Sequence, residues 1–318
     1  MSHDLGDDDA AGDDPRLAVL LDLVAEPLQL MAAYQVPRPD GIRVKLDANE
    51  LPWPLPDEVR AGLAAELARV ELERYPASDA GELREVIAAE LDVAPGALVF
   101  GNGSDELIAL LYAAFSAPRR GMTHTTVLYP SPTFVVYRIA ALAHAVEPVE
   151  VPLDGEMQMN TAAVERAMTA RRPNVAFFAL PNNPTGTLWD VDAVLGLARR
   201  HPATLIVSDE AYIEYGGRTL LPHQAELPNL IVMRPLSKIG LAGLRGGFVV
   251  APPALVGELE KVRPPYNVGA LNQRAAAWLV RHHGDLLRAR CAAVVAERER
   301  LAPRLRALPG VKVFDSQA

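Results

Sequence analysis

The chain has 318 residues, half of them hydrophobic, and a formal net charge of −9. Six aspartates and no lysine or arginine fall within the first fourteen residues, so the rest of the chain carries about −3 and has no basic surplus with which to grip a phosphate backbone. The apolar runs are too short to span a bilayer, the acidic start is the reverse of a secretory signal, and the single Cys291 excludes an internal disulfide framework or a multi-cysteine metal site. A cytoplasmic protein without a metal, and with no nucleic-acid or membrane partner, is expected.

Residues 1–15 are rich in Asp, Gly and Ala and read as a disordered tail. Val59, Leu63, Leu67 and Val70 then lie four, four and three apart, which predicts a helix with one buried stripe, and Leu83, Ile87 and Leu91 repeat the pattern. Ser104 is the predicted cap of the next helix, with Asp105 and Glu106 in its first turn. Short apolar runs at 126–129, 146–151, 175–180, 204–207, 230–233 and 247–251 alternate with helical or turn segments. Continuous apolarity suits strands buried on both faces, so the pattern predicts an α/β fold with a mostly parallel, doubly wound sheet. Helices are predicted over 254–263 and 284–308, and a further strand over 311–314.

In open parallel sheets, ligands sit at the carboxyl ends of the strands. After 175–180 comes Pro181-Asn182-Asn183-Pro184-Thr185-Gly186, and after 204–207 comes Ser208-Asp209-Glu210-Ala211-Tyr212. After 230–233 the chain reads Arg234-Pro235-Leu236-Ser237-Lys238 and continues to Arg245. Of the four lysines, Lys261 lies among charged helix neighbours, Lys312 alternates with Val311 and Val313, and Lys45 sits in an extended N-terminal segment. Only Lys238 follows a buried strand. No dinucleotide-binding glycine motif, phosphate-binding Gly-Lys-Ser/Thr loop, His-Glu-x-x-His helix or Gly-x-Ser-x-Gly elbow occurs. A lysine facing an aspartate, a tyrosine and an asparagine is the set that pyridoxal phosphate requires: an amine to condense with its aldehyde, a carboxylate for its ring nitrogen, and donors for its 3-oxygen. Taken singly, each residue has an ordinary structural explanation. Asp209 could cap a helix, Asn183 could form a turn, and Ser104 could belong to a capping box. Their coincidence at successive strand ends is what packing does not explain.

These residues lie within a longer run of motifs. Leu46-Asp47-Ala48-Asn49-Glu50, Arg74-Tyr75-Pro76, Gly101-Asn102-Gly103-Ser104-Asp105-Glu106, Pro132-Thr133-Phe134, the Pro181–Gly186 and Asp209–Tyr212 segments, and Leu236-Ser237-Lys238 with Leu241-Ala242-Gly243-Leu244-Arg245 occur in order. With them the chain resembles the fold-type I pyridoxal-phosphate aminotransferases, and most of all their histidinol-phosphate aminotransferase branch, from about Tyr34 onward. The resemblance implies that Lys238 binds the cofactor and shuttles protons, and that Asp209 pairs with the ring nitrogen. It assigns Asn183 and Tyr212 to the 3-oxygen, Phe134 to the ring face, and Ser104, Asp105, Ser237 and Arg245 to the phosphate. Tyr75 would reach the phosphate of a neighbouring subunit, implying a homodimer, and Tyr34 and Asn49 would line the substrate side. The implied layout is a cofactor-binding large domain over 53–258, with 16–52 and 259–318 forming an N-terminal arm and a smaller α/β domain. Two departures stand out: Pro235 occupies a position where the family usually has threonine, and the chain stops at Ala318 where the family continues, so an incomplete small domain is expected. The implied reaction is ping-pong amino transfer between L-histidinol phosphate with 2-oxoglutarate and imidazole-acetol phosphate with L-glutamate. An aromatic-acid aminotransferase, a phosphothreonine decarboxylase or a non-catalytic cofactor-binding homologue are the alternatives.

Overall fold

The computed structural model describes residues 15–29, 31–33 and 40–318. The chain divides into a unit ending at Arg43 and a unit over Val44–Ala318. The first contains two short helices, α1 (Pro15–Leu21) and α2 (Glu26–Gln29). Tyr34 and residues 1–14 of the expected tail lie outside the described residues.

The second unit is built on seven strands: β1 (Leu98–Gly101), β2 (Thr126–Ser131), β3 (Glu147–Pro152), β4 (Val175–Ala179), β5 (Leu205–Asp209), β6 (Leu230–Pro235) and β7 (Gly247–Val250). They form one sheet in the order β1-β7-β6-β5-β4-β2-β3. The β6-β5-β4-β2-β3 block is parallel, and β7 runs antiparallel to both β6 and β1. Eight helices accompany the sheet among the described residues: α3 (Asp57–Leu67), α4 (Gly81–Leu91), α5 (Gly103–Phe115), α6 (Val136–Ala143), α7 (Thr161–Arg171), α8 (Val191–Arg200), α9 (Pro253–Val262) and α10 (Ala270–Arg306).

The two-residue period of a strand divides the core into two layers. Val175 and Phe177 of β4, with Val207, Ile231 and Val249, pack on α5, α6 and α9 through Leu107, Leu111, Tyr137 and Leu259. Ala176 and Phe178, with Ile206, Val232 and Phe248, face the opposite layer, where Leu83, Ile87, Val164, Met168, Val194 and Leu279 lie. Phe177 and Phe178 are both fully buried, one in each layer. That is the situation a continuous apolar run describes.

Four expectations are corrected. β1 is a strand beyond those expected: Leu98–Gly101 pairs antiparallel with β7. α10 begins at Ala270 rather than 284, because its first half buries Ala275, Ala276 and Ala277, which leave little hydrophobic contrast, and His283 (φ −134°) marks a break between its halves. Residues 311–314 are not a strand: no described segment offers a ladder, and the nearby main-chain bond runs from Gln317 to the Gly186 carbonyl at 2.6 Å. Ser104 is not the cap of α5. Asn102 holds that place, and its N–H donates to the Glu106 carboxylate at 2.6 Å, so a reach-back glutamate satisfies the end that the serine was expected to close.

Candidate active site

The carboxyl ends of β4, β5 and β6 lie side by side, with Asp209 in register with both Ala179 and Met233. Asp209 is 4% exposed. Its Oδ2 accepts from the Tyr137 hydroxyl at 2.6 Å and its Oδ1 from the Ala211 N–H at 3.1 Å. Both bonds favour the charged form, yet burial outweighs them and pushes the carboxyl up to about 6. Tyr137 is itself completely buried, stacked on Phe177 at 4.5 Å and meeting Phe134 edge-on at 5.7 Å. Phe134, Tyr137 and Asp209 thus form a continuous chain of contacts from α6 to the end of β5. Sequence reasoning missed Tyr137; the available signal was a phenol on the buried stripe of a helix whose one charged residue is Arg138.

β6 leads into a tight turn over Leu236–Ile239 that Gly240 closes at φ +95°. Lys238 lies in this turn, half-buried, and its Nζ donates to the Ala48 carbonyl at 2.9 Å. The same Nζ stands 5.7 Å from the centre of the Tyr212 ring. Burial holds the amine below its ordinary pKa, opposed by the charges of Glu50, Asp105 and Asp209 and assisted by Arg245. Tyr212 follows Asp209 by three residues, and its hydroxyl accepts from the Asn49 side chain at 3.0 Å. Burial raises this phenol. Asn49 adopts φ +51°, a left-handed conformation that asparagine tolerates better than most residues.

After β4 the two asparagines separate in function. Asn182 is 1% exposed: its amide donates to the Pro132 carbonyl at 3.0 Å and to Thr185 Oγ1 at 2.9 Å, and its oxygen accepts from Thr133 at 2.7 Å. This network pins the loop. Asn183, half-buried, is left to line a cleft of about 320 Å³ together with Asn49, Tyr212, Tyr215 and Ser316.

At the start of α5, Gly103 has φ +76°, and a Cβ there would stand 3.0 Å from Arg245 Nη2. A Cβ on Gly247 would in turn meet the Gly103 main chain at 3.1 Å. Backbone, guanidinium and helix N-terminus therefore approach one another closely. Arg245, exposed, pairs with Asp105 at 3.3 Å, and Ser104 and Ser237 are half-buried. First-turn N–H groups that no N-cap side chain takes up, a positive helix end and an exposed cation suit a phosphate. Tyr75 is not part of the cleft: it is 81% exposed and stacks on Tyr266 at 4.6 Å.

The arrangement offers an amine with a lowered pKa, a buried carboxylate in need of a cation, two donors between them, and an anion-binding helix end. Such a site can hold a phosphorylated aromatic cation and move a proton beside it. Among the described residues no group of three His, Cys, Asp or Glu could hold a metal ion, and no helix is long and apolar enough to cross a membrane.

Residues 42–318 match the family model for aminotransferase class I and II. The chain is 42% identical over 299 residues to histidinol-phosphate aminotransferase 1 of Burkholderia lata, covering 93% of this chain and 81% of the relative. It is also 42% identical over 297 residues to histidinol-phosphate aminotransferase of Chromobacterium violaceum, with 93% and 81% covered. Among solved structures, histidinol-phosphate aminotransferase from Sinorhizobium meliloti in complex with pyridoxal-5'-phosphate superposes with a TM-score of 0.72 at 22% identity, covering 81% of this chain and 69% of that one. That likeness speaks to the fold.

Proposed function

The chain belongs to the class I and II aminotransferases, and from that membership we propose that it catalyses pyridoxal-phosphate-dependent amino transfer between L-histidinol phosphate with 2-oxoglutarate and imidazole-acetol phosphate with L-glutamate. The observation that carries this reading is the convergence of Lys238, Tyr212 and buried Asp209 at adjacent strand ends. The relatives' shared name over 93% of the chain does not favour the aromatic-acid aminotransferase, decarboxylase or non-catalytic alternatives.

The residues present fit the cofactor. A carboxylate buried at a cost is offset by a cationic ring nitrogen, and Gly103, having no side chain, lets the Arg245 guanidinium come close to the start of α5, where a phosphate would be received. When bound, pyridoxal phosphate supplies an aldehyde that condenses with amines and a protonated ring that accepts the electron pair left at a substrate carbon. Lys238 is assigned to hold the cofactor and, once released by the incoming amine, to carry the proton to and from substrate Cα. Its depressed pKa keeps a larger fraction neutral and able to accept that proton. Asp209 keeps the ring nitrogen protonated, with Tyr137 and Ala211 fixing the carboxylate's direction. Asn183 and Tyr212 are assigned to the ring 3-oxygen, Asn49 setting the phenol's position. Phe134 is assigned to the ring face, and Ser104, Asp105, Ser237 and Arg245 to the phosphate and its surroundings.

The outward position of Tyr75 supports a role toward a second copy of the chain, and hence a homodimer with shared sites. Tyr34 is assigned to the substrate side by resemblance alone. A cofactor-binding domain over 53–258, a smaller domain from the flanking segments and a cytoplasmic location complete the reading. The test is the visible spectrum of the protein with pyridoxal phosphate, before and after adding L-histidinol phosphate. The expected result is a lysine-dependent band that disappears as pyridoxamine phosphate forms. A band indifferent to L-histidinol phosphate would overturn the substrate assignment, and no band would overturn the cofactor assignment.

A further inference from the structure

The turns that follow β5 and β6 are tied together by one residue that the assignments above leave without a role. Tyr215 closes the short turn Ile213–Tyr215, six residues beyond Asp209, and is 7% exposed. Its hydroxyl donates to the main-chain carbonyl of Lys238. Its own carbonyl accepts from Arg298 Nη1 of α10 at 2.9 Å, and its ring lies 6.3 Å from that of Tyr212. The turn that bears Lys238 is held at its start by the Leu236 N–H, which donates to the Gly246 carbonyl at 2.9 Å, whereas at its end the Leu241 and Gly240 N–H groups reach the carbonyls of Leu236 and Ser237 at 3.3 and 3.4 Å. Bonds of that length lie beyond the usual range for N–H···O. The lysine side chain has four rotatable bonds and one hydrogen bond at its tip, to Ala48. A second anchor on its main chain is therefore what limits where the amine can go.

We propose that Tyr215 is a positioning residue for Lys238: by holding the lysine's main-chain carbonyl, its hydroxyl fixes the β6 turn against the β5 strand end that carries Asp209 and Tyr212. This rests on the assignment of Lys238 made above. Positioning of a reacting group to within about 1 Å is worth as much as a hundredfold in rate, and loosening one of two anchors should cost a part of that.

Tyr215→Phe removes the hydroxyl alone. In the cofactor-free variant, modification of Lys238 by trinitrobenzenesulfonate is followed by peptide mass spectrometry, with Lys45, Lys261 and Lys312 as internal references. The groups that face Lys238 (Glu50, Asp105, Asp209 and Arg245) are unchanged, so a change reports the amine's position. Released toward water, Lys238 should titrate higher, so the midpoint of its pH–reactivity profile should move up by about half a pH unit, about threefold in the neutral fraction near pH 8, whatever the change in its limiting rate. In the loaded enzyme kcat should fall about tenfold with KM little changed. A Lys238 profile that matches the unaltered protein overturns the proposal, even if the variant melts earlier, because the hydroxyl would then serve stability only. Should Tyr215→Phe not fold, Arg298→Ala, which releases Tyr215 from α10, should move the Lys238 profile in the same direction, and an unmoved profile again overturns the proposal. A moved profile in a protein without transaminase activity would uphold the positioning role and remove the functional reading instead.

Discussion

Asp209→Asn keeps the size and shape of a buried side chain and removes its charge. In the folded, cofactor-free protein the carboxyl titrates at about 6 against an ordinary 3.8. At 1.36 kcal/mol per unit, a gap of about two units corresponds to about 3 kcal/mol. The folded pKa is the higher one, so the native state holds its proton more tightly than the unfolded chain. Stability is then intact below about pH 4, declines as pH rises, and is short by the full about 3 kcal/mol once pH has passed the folded pKa near 6. Asparagine has no such loss. Its oxygen can take the Ala211 N–H, and its amide can donate to Tyr137, whose hydroxyl rotates to accept. Any cost of turning Tyr137 is independent of pH and displaces the difference curve without altering its rise. Urea denaturation of both cofactor-free proteins, repeated from about pH 4 to pH 8, should show the variant gaining on the parent by about 3 kcal/mol and then levelling off above pH 6. A difference that stays flat across that range would refute the claim that burial dominates this carboxyl. Pyridoxal phosphate should reverse the order, since a cationic ring nitrogen stabilises the carboxylate and gives the asparagine nothing.

Other perturbations separate the remaining parts of the site. Lys238→Ala should abolish both the cofactor's lysine-dependent visible band and turnover; turnover that survives would refute the assignment of this amine. Tyr137→Phe removes a hydrogen bond that favours the charged form of Asp209, so the carboxyl should rise further and cofactor affinity should fall about tenfold, as loss of a bond to a charged group predicts. Unchanged affinity in a fluorescence titration would count against it. Glu210 is fully buried and takes both Nε and Nη2 of Arg234, at 3.0 and 2.8 Å. Glu210→Gln leaves that guanidinium without a counter-charge and should cost about 3 kcal/mol in urea denaturation; a loss below about 1 kcal/mol would show the pair to be well solvated.

The strand-forming runs, the parallel core and the identity of Lys238, Asp209, Tyr212 and Asn183 as candidates are legible in the sequence, because each rests on local composition. Strands buried on both faces must be apolar throughout, as Phe177 and Phe178 are, and a lysine or aspartate directly after such a run is conspicuous. What the chain brings together from afar is not written locally. The alanine-rich first half of α10 shows little hydrophobic periodicity, and its contacts with α3 and α4 decide which face it buries. β1 is a strand because β7 lies beside it. Tyr137 bonds a carboxylate 72 residues away, Lys238 an Ala48 carbonyl 190 residues away, and Tyr215 the main chain of Lys238 across two turns. The chemical groups of this protein are therefore set by its sequence, since side-chain identity is a property of single positions. Their charge states and directions are set by the fold, since desolvation and hydrogen bonding depend on neighbours that only tertiary packing supplies.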